Sequence, residues 1–303
     1  MRFKKGLTLV ELIVALGILS ILLTSVFVIY RNQMRTATTQ QVVSILQTDV
    51  QQALNIIKWD LLMSGYGVPS TMMAVSGVNR TNGSDSLSLR STGFLLGGTT
   101  RWSYVLDVLT GVQTNQLIVR RWNDERQDIK VGDVIIIMTD RKSVISPFLT
   151  VTSRQSITFN NQDAYLLTVN NTFQTAPGNF VFVVPGGQVG TSAYWLRNDT
   201  LFRNNESFLT GVEDFQVSYW VDLNNNKIME TNERVHNPVG IRDFADLLRS
   251  VRVSLVLVGP VDRTFTYPQT QITNEDRTYT LTGIARNRRR RFYALEVKVR
   301  NVR

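Results

Sequence analysis

The 24 residues from Leu7 to Tyr30, LTLVELIVALGILSILLTSVFVIY, carry a single charge, Glu11, and Arg31 and Arg35 close the run. A helix needs about 20 consecutive apolar residues to cross a bilayer. Any fold for this chain must therefore place a long apolar helix away from water. Ahead of it stands Met1–Gly6, MRFKKG, which is short, polar and basic. A secretory signal peptide has a shorter apolar core followed by a small-residue cleavage site. Here the run is too long, and Tyr30-Arg31-Asn32-Gln33 offers no such site. An ordinary signal anchor explains the length but not Glu11, because a carboxylate deep in a membrane helix costs about 2.5–3.5 kcal/mol. Glu11 needs a partner.

The helical pattern continues past Tyr30. Val43, Leu46, Val50, Leu54, Ile57 and Leu61 recur at spacings of three and four, with Gln40, Gln41, Gln47, Thr48, Gln51, Gln52 and Asn55 between them. That is one apolar face of an amphipathic helix. No proline precedes Pro69, and Ser64-Gly65-Tyr66-Gly67 is a stop signal. A continuous helix from Leu7 to Met63 would be roughly 85 Å long at about 1.5 Å per residue. Its first half, 7–30, reads as membrane-spanning, and 31–64 reads as the amphipathic half.

Beyond Pro69 the period changes to two. Gln116–Arg120, Asp133–Met138, Ala164–Val169, Asn179–Val184, Phe215–Tyr219, Val251–Leu255 and Phe292–Val297 read as strands. Turn clusters such as Asn82-Gly83, Gly97-Gly98 and Pro185-Gly186-Gly187 separate them. The stretch 70–111 shows no clear period and reads as irregular. The expected class is α+β: a long N-terminal helix packed on an antiparallel β-sheet, with 65–303 as the β-rich globular domain. The five tryptophans read as core.

Lys4-Lys5-Gly6-Leu7-Thr8-Leu9-Val10-Glu11 resembles the N-terminal signal of type IV prepilins. The resemblance implies cleavage of the leader 1–6 by a prepilin peptidase between Gly6 and Leu7, and methylation of the new amine on Leu7. It also implies that Glu11 pairs with the amine of a neighbouring subunit. Two costly buried charges then become one pair that fixes register. Leu7 stands where phenylalanine is usual. Three further segments, Trp59–Gly67, Tyr194–Arg203 and Leu209–Phe215, together with the terminal Val297–Asn301, resemble the PilW family of minor pilins, relatives of the J-type pseudopilins of type II secretion. The family implies a pilin-like fold and a non-enzymatic role in an initiation or tip complex. It further implies anchorage in the inner membrane with a periplasmic domain, and other minor and major pilins as partners. A secretion pseudopilin is the alternative assignment.

Formal charge is +9, and removal of Arg2, Lys4 and Lys5 with the leader leaves +6. The stretch from Arg286 onward holds +7, so the body between is close to neutral. Arg286, Arg288, Arg289, Arg290 and Arg291 form a cluster whose chemistry suits phosphates of DNA or acidic head groups. A solvated hairpin or an interface with acidic neighbours uses the same residues. DNA contact is therefore a second functional reading.

One internal loop has metal-ligand spacing. Asp222, Asn224, Asn226, Ile228 (through its carbonyl), Glu230 and Glu233 fall at positions 1, 3, 5, 7, 9 and 12 of a calcium loop. Lys227 occupies the position where glycine normally makes the turn, and an Asn-rich hairpin turn accounts for the same residues. Calcium is the one cofactor the sequence suggests. With no cysteine and one histidine, His236, the chain excludes disulfides and thiolate chemistry. It also lacks the Gly-x-Ser-x-Gly, Walker and dinucleotide motifs.

Overall fold

The computed structural model describes residues 9–97, 100–108, 113–241 and 244–301, with backbone alone at 35–46 and 147. The chain divides into two compact units, 1–52 and 53–303. Helix α1 runs over Leu9–Met63.

In the first unit, the apolar stretch Leu9–Met34 is long and apolar enough to cross a membrane and none of it is buried within the protein. Its serine and threonine hydroxyls bond back to the helix itself. Ser20 Oγ donates to the carbonyl of Gly17 (2.8 Å), Thr24 Oγ1 to Ser20 (2.7 Å) and Ser25 Oγ to Ile21 (2.9 Å). Such back-bonding removes the need for water along an apolar helix.

The second unit begins with the end of α1. Leu54, Ile57 and Leu61 are buried, as the three-four spacing predicts, and so is Ala53. The helix stops where expected. Ser64 Oγ donates to Leu61 O, and Gly65 and Gly67 adopt φ of 81° and 62°. Gly67 has a second reason to lack a side chain, since a Cβ there would lie 2.4 Å from Thr92 Oγ1.

Among the described residues seventeen strands follow, numbered in chain order. Strands β1 (Val75–Val78) and β2 (Ser86–Ser91) come first. Next are β3 (Trp102–Asp107), β4 (Thr114–Arg120), β5 (Val134–Met138), β6 (Val144–Phe159), β7 (Gln162–Phe173) and β8 (Phe180–Val183). Then β9 (Gly190–Arg197), β10 (Thr200–Arg203) and β11 (Glu206–Thr210) form a meander. Strands β12 (Val212–Val221), β13 (Arg234–Val235), β14 (Leu248–Val261), β15 (Gln271–Asn274), β16 (Arg277–Thr280) and β17 (Arg288–Lys298) complete the chain.

They build four assemblies: a five-stranded sheet β1-β2-β9-β10-β11, a four-stranded sheet β13-β12-β14-β17, the hairpin β15-β16, and a closed barrel β3-β4-β7-β6-β5-β8. All pairings in them are antiparallel. Strand β14 is buried along most of its length, which explains its near-continuous apolar run Val251–Val258. Its neighbours align Val217 with Val253 on one side and Val253 with Leu295 on the other.

The barrel is an insertion. Strands β2 and β9 pair with each other, with Ser91 opposite Gly190, so the whole barrel lies within the connection of what is otherwise a hairpin. It has its own core, which includes Val105, Leu117, Ile135, Leu149, Leu167 and Val181. Alternation places those residues inside and Trp102, Tyr104, Phe180 and Phe182 on the outer face, where Trp102 lies opposite Phe182 and Tyr104 opposite Phe180. A small clasp ties the barrel to the rest. Lys142 Nζ, on the β5–β6 turn, donates to Gly65 O (2.9 Å) and to Asn301 O, while Tyr66 meets Phe182 edge-on at 5.2 Å.

The expected α+β class, a long N-terminal helix followed by an antiparallel β-rich domain, is what the structure shows, and the middle of that domain closes into a barrel. Two expectations need correction. The stretch 70–111, read as irregular, contains β1, β2 and β3. Its strand Ser86-Leu87-Ser88-Leu89-Arg90-Ser91 alternates small polar residues with leucines, a period-two signal diluted by weak strand formers. The tryptophans are not core: Trp59 is 66% exposed and none of the five is fully buried. Their rings cover outer faces, as where Trp195 stacks on Phe202 at 4.5 Å.

Candidate functional surfaces

Gly6 and Leu7, the expected cleavage and methylation positions, lie outside the described residues. Glu11 is exposed in the first turn of α1, where a negative charge also complements the helix dipole.

The loop after β12 turns as the calcium spacing requires. Lys227 takes φ 64°, the left-handed conformation that glycine normally supplies. The oxygens at positions 1, 3 and 5 accept backbone N–H groups: Asp222 Oδ2 from Lys227 (3.0 Å), Asn224 Oδ1 from Asn226 (3.0 Å) and Asn226 Oδ1 from Ile228 (2.7 Å). The remaining groups also close on the protein itself. Asn226 Nδ2 donates to Glu230 Oε1 at 3.0 Å, and Glu233 accepts from the N–H groups of Asn224 and Glu230 at 3.4 and 3.2 Å. Arg249 donates to Asp222 Oδ2 through Nε (3.0 Å) and Nη2 (2.5 Å). Burial pushes the Asp222 carboxyl up, but Arg249 and the loop N–H groups outweigh it and hold the pKa below the usual range. Among the described residues, no group of three or more acidic or histidine side chains gathers around one point as a metal cage.

The arginine cluster does not form one cationic face. Strand alternation points its members in different directions, and each finds different partners. The Arg290 side chain is fully buried, bound to Glu213 through Nε (2.5 Å) and Nη2 (2.6 Å) and lying 5.3 Å from the Tyr267 ring. Burial lowers its pKa, and Glu213 more than reverses that. Arg288 donates to Gly259 O and lies 3.3 Å from Asp199. Arg286 donates to Tyr267 O, and Arg289 sits over Phe265 with Asp262 at 3.6 Å. Arg291 is exposed.

The same logic runs through a set of buried carboxylates whose roles sequence reasoning missed. Asp60, on the inner side of α1, accepts hydrogen bonds from Ser192 Oγ (2.6 Å), Tyr194 OH (2.5 Å) and Arg203 (2.9 and 3.0 Å). Asp214, fully buried, accepts from Ser84 Oγ and Asn274 Nδ2 at 2.9 Å and pairs with Arg277. Glu275, at the tip of the β15-β16 hairpin, accepts from Ser254 Oγ (2.6 Å), sits 3.1 Å from Arg252 and pairs with Arg234. Burial pushes the Asp85 carboxyl up to about 6, although the N–H groups of Val217 and Arg80 partly oppose the shift. His236 is held below its ordinary pKa chiefly by burial, with Asp276 3.6 Å away.

These pairs join the separate segments that carry the family resemblance. Asp60 from the first segment meets Tyr194 and Arg203 of the second, while Glu213 and Asp214 of the third meet β17 and β16. The one advance signal was an aspartate on the apolar face of a helix, which needs a partner when buried.

Residues 1–27 match the prokaryotic N-terminal methylation motif. Residues 181–301, from β8 to the end of the described chain, match the family of type IV pilus-assembly protein W. The chain is a type IV pilin-like protein with a PilW domain. The two matched stretches lie at either end, and the barrel falls almost wholly between them. The structure of a type IV-like pilin from Thermus thermophilus is similar at a TM-score of 0.33 and 10% identity, covering 85% of this chain and 98% of that one. No curated protein sequence matches. The pilin family is structural rather than catalytic, and its N-terminal motif implies processing by prepilin peptidase and assembly with other pilins.

Proposed function

We propose that this PilW-type chain is a minor pilin that primes or joins pilus assembly in an initiation or tip complex. The reading rests on one combination: a methylation motif over residues 1–27 that leads into an apolar helix, none of whose residues from Leu9 to Met34 is covered by the rest of the protein. A surface of that kind is stable only in lipid or against other apolar helices. In this reading the chain is held in the inner membrane by α1 with its β-rich domain in the periplasm. Prepilin peptidase cuts between Gly6 and Leu7. Glu11 then neutralises the Leu7 amine of an adjacent subunit as the helices pack.

The arginine cluster is proposed as structural rather than DNA-binding, since Arg290 is buried against Glu213 and Arg286, Arg288 and Arg289 each have a partner within the domain. The 222–233 loop is proposed as a hairpin cap rather than a calcium site, since Arg249 already neutralises Asp222. The test is the composition of sheared filaments. The native chain is expected in the filament fraction, and Gly6→Leu, which blocks cleavage, is expected to keep it in the membrane. A Gly6→Leu chain that enters filaments as well as the native one refutes the proposal.

A further inference from the structure

Among the described residues, every sheet edge but one is short or closed. The barrel joins onto itself and has no edge. The five-stranded sheet ends in β1, four residues long, and in β11, five residues long with a register shift against β10. Strand β13 has two residues, and β15 and β16 have four each. Strand β17 differs. It has 11 residues and no proline, and it pairs on one side with β14 in unbroken register from Ser250 opposite Lys298 to Val258 opposite Arg290. An open edge of that kind is a template for another chain, and proteins normally shorten, bulge or cover it. The register shows which groups are unused. Val299 N–H donates to Arg249 O at 3.1 Å, and in an antiparallel pair successive residues turn their backbone groups to alternate sides. Tyr293, Leu295 and Val297 therefore bond to β14. The N–H and C=O groups of Phe292, Ala294, Glu296 and Lys298 point to the open side, where no strand lies among the described residues. The side chains there are not those of a solvated edge. Phe292 is 49% exposed, and Tyr293 and Leu295 on the other face are only half-buried.

We propose that the open edge of β17, residues 292–298, is a docking site for an extended acidic segment of another protein, which adds a fifth strand to the sheet β13-β12-β14-β17. This site does not depend on the pilin reading. Charge selects the occupant. Arg291, Lys298 and Arg300 are exposed along the edge, against the single acid Glu296, which already accepts from Ser250 Oγ at 2.8 Å. A second copy of β17 fits poorly. Antiparallel self-pairing centred on Ala294 sets Arg290 against Lys298 and Arg288 against Arg300, and like charges directly opposite destabilise a sheet. A strand from a different protein meets every demand of the edge if it carries carboxylates opposite Arg291 and Lys298 and apolar residues opposite Tyr293, Leu295 and Val297. It completes the backbone ladder, covers the two half-buried side chains and neutralises the cations.

The test uses the full-length chain in detergent micelles and a fluorescein-labelled peptide, Glu-Val-Thr-Ile-Thr-Val-Tyr-Glu, written to lie antiparallel to residues 298–291. The control is the same peptide with lysine at both ends. Fluorescence anisotropy should show the acidic peptide binding about tenfold tighter than the control. Amide exchange at Phe292, Ala294, Glu296 and Lys298 should slow about tenfold when it is bound. Ala294→Pro removes one outward N–H without touching the β14 ladder, and proline is tolerated where an edge strand faces solvent. Its thermal midpoint should match the native chain, and its affinity for the acidic peptide should fall about tenfold. Arg291→Glu combined with Lys298→Glu should reverse the preference toward the lysine-ended peptide. Equal binding of both peptides, no binding of the acidic one, or binding that survives Ala294→Pro overturns the proposal. Self-association of the native chain that Ala294→Pro abolishes gives the edge to a second copy and also overturns it. If Ala294→Pro is unstable, the charge reversal decides.

Discussion

Asp60→Ala should destabilise the β-rich domain more than any other single change at the surface of α1. The carboxylate accepts four hydrogen bonds, from Ser192, Tyr194 and twice from Arg203. Removing one member of a buried ion pair commonly costs about 3–5 kcal/mol. Here the lower end applies, because the Arg203 side chain is 35% exposed and water recovers part of its loss. The fully buried Tyr194 hydroxyl has no such recourse, and an orphaned buried donor costs about 1–3 kcal/mol. The expected total is about 3 kcal/mol. At about 2–4 °C per kcal/mol for domains of this size, the midpoint should fall by about 6–12 °C in scanning fluorimetry of the detergent-solubilised chain. Asp60→Asn keeps one acceptor and should lose about half as much. Arg203→Ala combined with Asp60→Ala should cost less than the two changes separately by at least about 1 kcal/mol. A loss below about 1 kcal/mol for Asp60→Ala, or strict additivity with Arg203→Ala, refutes the claim that this knot fixes the helix to the sheet.

Asp85 predicts a pH dependence of definite sign. Its folded pKa is raised to about 6, so its contribution to stability is fully present below about pH 3.8 and is lost as pH rises through 6. The native chain should therefore lose up to about 3 kcal/mol relative to Asp85→Asn between pH 4 and 7, and urea midpoints that move in parallel for both proteins contradict the assignment. Replacing residues 92–189 by Asn-Gly should leave the scaffold folded, because Ser91 and Gly190 are already paired and this dipeptide closes a tight hairpin. Amide exchange in β12, β14 and β17 should stay slow, and loss of that protection shows that the barrel is not a separable insert. Millimolar calcium or its chelation should leave the thermal midpoint unchanged, whereas a rise of several degrees with calcium restores the metal-loop reading of 222–233.

Much of the architecture was legible in advance. The apolar run, the three-four spacing from Val43 to Leu61 and the Gly65-Tyr66-Gly67 stop place α1 correctly, because long periodic segments report directly on which face is buried. Each strand identified by period-two alternation is present. What the sequence concealed is non-local. Ser91 and Gly190 are nearly a hundred residues apart, and nothing in either predicts that they pair across an intervening barrel. The arginine run looked like one surface because a linear count ignores alternation along a strand: Arg290 turns inward to Glu213 while Arg289 and Arg291 point out. Trp59 misled for a different reason. Tryptophan is usually largely buried, but here it falls on the side of the helix away from buried Leu54, Ile57 and Leu61.

The central claim is that this chain is a processed pilin, and the mature N-terminus tests it most directly. Mass spectrometry of the protein from cells with prepilin peptidase should find a chain beginning at a methylated Leu7, and from cells lacking the peptidase a chain that retains the MRFKKG leader. The leader still attached in both cells contradicts the account.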